Sequence, residues 1–124
     1  MRKEITLDDV KRAYRLAKDV YEEKLDIKTA QDKLTKNDRM SRSSARGYLR
    51  VFQRMMEGEC YTRGINKTAT RHFLEMIHAD FSQQTFCKAL SSVKQHTKYY
   101  KSLRPRGLPA IEKIYEEFYK KYIA

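Results

Sequence analysis

Arg42, Arg46, Arg50 and Arg54 recur at four-residue steps inside residues 41–54. On a helix this spacing draws a stripe of guanidinium groups that rotates slowly along one side. Ala45, Leu49, Phe52 and Met56 recur beside it at three- and four-residue steps, as a core-facing stripe does. A helix anchored by one face and carrying arginines on another can lie against a phosphate backbone. The chemistry suggested is therefore recognition of a polyanion. A second set is Lys94, Lys98 and Lys101, at i, i+4 and i+7 with Ser91, Gln95 and His96 nearby. Lysines are point charges that suit phosphate and read base edges poorly, so this set would position a ligand rather than specify it.

Bond-making chemistry finds less support. His72, His78 and His96 form no metal or catalytic signature, and His72 and His78, six apart, do not share a helical face well. A histidine–lysine pair could serve RNA cleavage, but nothing positions a second acid–base group. The chain carries no glycine-rich phosphate loop, no paired catalytic carboxylates and no nucleophile elbow. The expectation is a chain that is not an enzyme and uses neither cofactor nor metal.

The overall balance agrees with a polyanionic partner. The 124 residues hold 27 Lys and Arg against 16 Asp and Glu, a formal net charge of +11. The excess is uneven. Residues 81–111 contain no carboxylate, and residues 36–71 hold nine basic residues against Asp38, Glu57 and Glu59. No apolar run approaches the ~20 residues of a membrane-spanning helix. The first residues lead into an amphipathic helix rather than an apolar leader. Cys60 and Cys87 are too few for a disulfide framework and form no CxxC pair, which suggests reduced thiols in a cytoplasmic protein.

The elements that must position these groups read as helices throughout. Thr6 with Asp9 resembles a capping box for a helix over about 7–24, burying Val10, Ala13, Ala17 and Val20. A short helix fits about 28–34, residues 37–40 break it, and Ser41 caps the arginine helix, which Gly58 stops. Asn66 and Ser82 cap two further helices. The fourth buries Ala69, Phe73, Met76 and Ile77; the fifth turns Phe86, Leu90, Val93 and Tyr100 inward. Residues 104–108 form the clearest linker, and Pro109 suits the first turn of a last helix, 109–123, carrying Ile111, Tyr115, Phe118 and Tyr122. Tyr48 and Tyr61 could stack on bases, though core packing fits them better. The expected architecture is a single all-α domain over 1–124, with a core of 5–103 and five or six helices. Its pair over about 28–57 has the order of a helix-turn-helix.

Taken in order, Ser43-Ser44-Ala45, Tyr48-Leu49, Phe52, Met55-Met56-Glu57-Gly58, Tyr61-Thr62-Arg63, Ile65-Asn66 and Ala69-Thr70 form a recognisable series. Ala89-Leu90-Ser91-Ser92-Val93, His96 and Tyr99-Tyr100 continue it. This resembles the helical N-terminal modules found ahead of HNH-type nuclease domains in bacterial restriction-like proteins, over roughly residues 5–103. The resemblance implies DNA binding, with sensing of modified bases, while the attached nuclease cuts. The chain has no His-Asn-His motif, so no catalytic residue carries over and the likeness would be to the recognition module alone.

The expected function is thus recognition of double-stranded DNA in a restriction or defence-type system. Arg42, Ser43, Arg46, Arg50 and Arg54 would approach a groove, and Arg63, Lys67, Arg71, Lys94, Lys98 and Lys101 would hold the backbone. RNA ranks below DNA, since no RNA-binding module signature is visible. The alternative is a helical adaptor that docks an acidic partner or forms a homodimer through its last helix. A fused or associated nuclease domain is a further partner under the first reading.

Overall fold

A computed structural model describes residues 4–124, with the side chain of Asp38 left out. The described residues form an all-α fold of six helices with no strand. They are α1 (Leu7–Tyr21), α2 (Ile27–Thr35), α3 (Arg42–Glu57), α4 (Lys67–Asp80), α5 (Gln83–Leu103) and α6 (Pro109–Tyr122). A single 3₁₀ turn, Lys36–Asp38, lies between α2 and α3. The chain divides into two compact units, Met1–Gln53 and Arg54–Ala124, and the division falls inside α3.

The first unit is built on α1, α2 and most of α3. Thr6 accepts the Asp9 N–H at 3.2 Å while Asp9 accepts the Thr6 N–H at 2.9 Å, so two of the orphan donors at the start of α1 are satisfied reciprocally. Helix α1 ends three residues earlier than its pattern suggests. Glu22 is the C-cap, and Glu23 adopts a left-handed φ of 61° that no helix continues through. As a result Val20 is only half-buried, and Tyr14 and Leu16 take the inward positions beside Val10, Ala13 and Ala17. Tyr14 meets Phe52 of α3 edge-on at 5.5 Å, joining α1 to the apolar face of the arginine helix. The break after α2 is a second left-handed residue, Asn37, also at φ 61°. Asparagine is among the few non-glycine residues that visit this region readily.

The second unit packs α4, α5 and α6 pairwise against one another. Asn66 accepts the Ala69 N–H at 2.7 Å and Ser82 accepts the Thr85 N–H at 3.1 Å, so α4 and α5 each start at a side-chain cap. Phe73, Ile77, Phe86, Val93 and Phe118 fill its core, with Leu74 and Ile114 added where the sequence pattern points to Met76 and Tyr115. Those two, with Tyr100 and Tyr122, stand half-buried at its edge. Phe86 contacts His78, Phe118 and Tyr122, giving this core an aromatic centre at the far end of α6.

Candidate nucleic-acid interface

Helix α3 begins where Ser41 accepts the Ser44 N–H at 3.0 Å, and it ends at Gly58, whose φ of 72° suits a residue without a Cβ. Between these stops the helix buries a wide face. Ala45, Tyr48, Leu49, Val51, Phe52, Met55 and Met56 are all core residues. Tyr48 is 5% exposed and Tyr61 4%, which withdraws both rings from any stacking role. Burial also pushes the Tyr61 hydroxyl well above the usual tyrosine range. The strip left in solvent consists of Arg42, Ser43, Arg46, Arg50, Gln53 and Glu57.

The four arginines are not equivalent. Arg42 bonds Asp32 of α2 at 2.7 Å and Gln31 at 3.2 Å. Arg54 pairs with Glu59, just past the helix end. Arg46 and Arg50, between them, are exposed and have no salt bridge among the described residues. On the sequence Glu57 is the one carboxylate within α3, and that count misses the two acids that neighbouring segments bring to its ends. Both bridges are exposed, with side-chain exposures between 41% and 53%, so each contributes at most about 1 kcal/mol and a phosphate could compete for either arginine.

The lysine face of α5 is likewise divided. Lys101 pairs with Glu112 of α6 at 3.1 Å, and the Lys94 ammonium sits 4.9 Å above the Tyr115 ring. Lys98 lies between them on the same face, exposed and with no salt bridge among the described residues. Lys88, one of the basic residues of the acid-free stretch, is also exposed, but at ten residues before Lys98 it stands about 80° round the helix from it and beside Gly58.

Behind that face, α5 holds the loop after α3. Gln95 donates to the Gly58 carbonyl at 2.9 Å, Ser92 to the Glu59 carbonyl, and His96 Nδ1 bonds the Tyr61 carbonyl. Tyr61 stacks on the His96 ring at 4.1 Å. His96 is 2% exposed, and its burial lowers its affinity for a proton, against which the Tyr61 carbonyl acts in the opposite direction. A buried, backbone-bonded imidazole of this kind positions a loop. Arg63, in the same loop, is exposed but engaged within the protein.

Lys67 and Arg71 stand on the first turns of α4. Arg71 forks onto Glu117 of α6 through two N–H bonds of 2.7 and 3.3 Å, which raises the guanidinium pKa and lowers that of the carboxyl. Lys67 is exposed. Of the eleven residues expected to bind, Arg46, Arg50, Lys67, Lys94 and Lys98 are thus exposed without an ion-pair partner among the described residues, Lys94 resting over the Tyr115 ring. They belong to both units: Arg46 and Arg50 to the first, Lys67, Lys94 and Lys98 to the second.

Among the described residues no three His, Cys, Asp or Glu side chains converge as metal ligands, and no helix is long and apolar enough to cross a membrane. Cys60 and Cys87 are free thiols. No known protein family, curated protein or solved structure matches this chain.

Proposed function

We propose that this protein binds nucleic acid, with double-stranded DNA the preferred form, through the outward strip of α3, and that the lysine face of α5, taken by itself in the second unit, also suits phosphate. The observation that carries the reading is the pair Arg46 and Arg50. Two guanidinium groups one turn apart stand in solvent on a helix whose other side is locked into the core, and no carboxylate among the described residues neutralises them. Leaving like charges adjacent costs a few tenths of a kcal/mol on a helix surface, a cost that a bound phosphate would reverse. Charge is in excess in both units, with 14 basic against 9 acidic residues in the first and 13 against 7 in the second. That distribution suits a long polyanion better than a small one.

The reading assigns no chemistry to the chain. Recognition without cleavage, as part of a restriction or defence-type system, is the role the sequence resemblance favours. The decisive comparison is charge reversal at Arg46 and Arg50 against the same change at Lys11 and Lys18, measured by fluorescence anisotropy on a short duplex. R46E/R50E should weaken binding at least about tenfold more than K11E/K18E. Equal losses would reduce the arginines to generic charge and remove the basis for this assignment. Matched RNA as competitor, and cytosine-methylated beside unmodified duplex, separate the polymers and test for modified-base sensing.

A further inference from the structure

An open cleft of about 360 Å³ lies between α4 and α6, wholly within the second unit. Its walls are Lys67, Thr68 and Arg71 from α4, with Lys113, Ile114 and Glu117 from α6. We infer that this cleft is a binding site for a phosphate group carried as a monoester or as the free ion. The inference stands apart from the duplex interface, which rests on Arg46, Arg50 and Lys98.

The cleft is rich in donors and poor in acceptors. Lys67, Thr68, Arg71 and Lys113 all present N–H or O–H groups, and Glu117 is the single carboxylate on its walls. That carboxylate is already taken. Both of its oxygens accept from Arg71, and Lys113, one turn before it on α6, also draws its pKa down. Glu117 therefore acts as a brace that holds the Arg71 guanidinium in place, and it leaves Lys67, Lys113 and the Thr68 hydroxyl without a hydrogen-bond acceptor among the described residues. With three cations and one anion, the walls carry a net charge of +2, which matches a phosphate dianion. A braced arginine with two exposed lysines around a hydroxyl supplies fork-like and point-charge donors together, the combination that tetrahedral oxyanions favour. Helices α4 and α6 both start beside the cleft, so their positive ends add to the same field.

The test follows backbone amide shifts of the full chain on adding inorganic phosphate, with chloride at matched ionic strength as the reference. Saturable shifts clustered at residues 67–71 and 110–114 are expected. They should persist in R46E/R50E and weaken about tenfold in K67A/K113A, whose unchanged spectrum elsewhere would show that it folds. Shifts that rise linearly, or that spread over every lysine, would overturn the site. So would K67A/K113A binding phosphate as well as the parent. A second arm identifies the carrier by comparing 5′-phosphorylated with 5′-hydroxyl oligonucleotides. A preference for the phosphorylated end that disappears in K67A/K113A would assign the site to a nucleic-acid terminus. Phosphate binding with no such preference would assign it to a free phosphate or a small phosphate ester. Loss of duplex binding in R46E/R50E with the phosphate shifts intact would show the two sites to be separate.

Discussion

Gly64 and His96 are packed too closely to admit a side chain at residue 64. A Cβ placed on Gly64 would lie 2.6 Å from His96 Nε2, and the ring cannot retreat because Tyr61 stacks on one face and its Nδ1 is bonded. Gly64→Ala should therefore destabilise the protein by about 1–3 kcal/mol in urea melts, as overpacking does in a filled site. An unchanged midpoint would mean the ring has room that the packing does not reveal. The same histidine sets a pH dependence. Burial keeps its folded-state pKa below the ordinary 6.5, so the unfolded chain takes up a proton first as the pH falls. Stability attributable to His96 is thus complete above that value and declines as the pH drops below it. Between pH 7 and 5.5 the urea midpoint should fall, and His96→Gln should flatten that slope; a parent profile level through this window would contradict the assignment. None of this was legible in the sequence, where His96 reads as part of a lysine face. Its partners are a loop carbonyl, a glycine and a tyrosine up to 35 positions away in the chain, and spacing rules see only neighbours on the same element.

At the level of elements, caps and stops were the most legible features. Thr6, Ser41, Asn66 and Ser82 each bond the N–H three residues ahead, and Pro109 opens α6, because these effects are local and the residue types that produce them are few. Gly58 belongs to the same class. Its φ of 72° opposes any substitution, and a Cβ at this position would lie 3.3 Å from that of Lys88. Gly58→Ala should cost about 1–2 kcal/mol, from left-handed strain with a small shift of Lys88 added. Circular dichroism melts that match the parent would show that α3 ends by some other means. What the sequence did not disclose was which charges meet. Asp32, Glu59, Glu112 and Glu117 each come from outside the helix whose cation they pair, so a charge count along single elements overstates the free stripe. The buried face of α3 also exceeds its simple stripe, since Tyr48, Val51 and Met55 join the expected set.

For the whole molecule, the paired and unpaired cations give a number to measure. If only Arg46, Arg50 and Lys98 neutralise phosphates on a duplex, the logarithm of affinity should fall with the logarithm of salt at a slope of about −3. Recruitment of Arg42, Arg54 and Lys101 from their exposed bridges would steepen it toward about −5. A slope near zero would leave the charge of +11 without a nucleic-acid role and favour docking to an acidic protein. Light scattering would then show whether the half-exposed Tyr119 of α6 and Ile123, just past its end, support an oligomer. The three bonds from α5 to the Gly58, Glu59 and Tyr61 carbonyls have one more consequence. They work like a ruler laid against the loop, with fixed marks at Gln95, Ser92 and His96, and a residue inserted between 58 and 61 would put at least one carbonyl off its mark. The turn at Arg104, Pro105 and Arg106 is exposed, and among the described residues no side chain bonds its carbonyls. Among chains sharing this fold, length should drift at residues 104–106 and stay constant from 58 to 61.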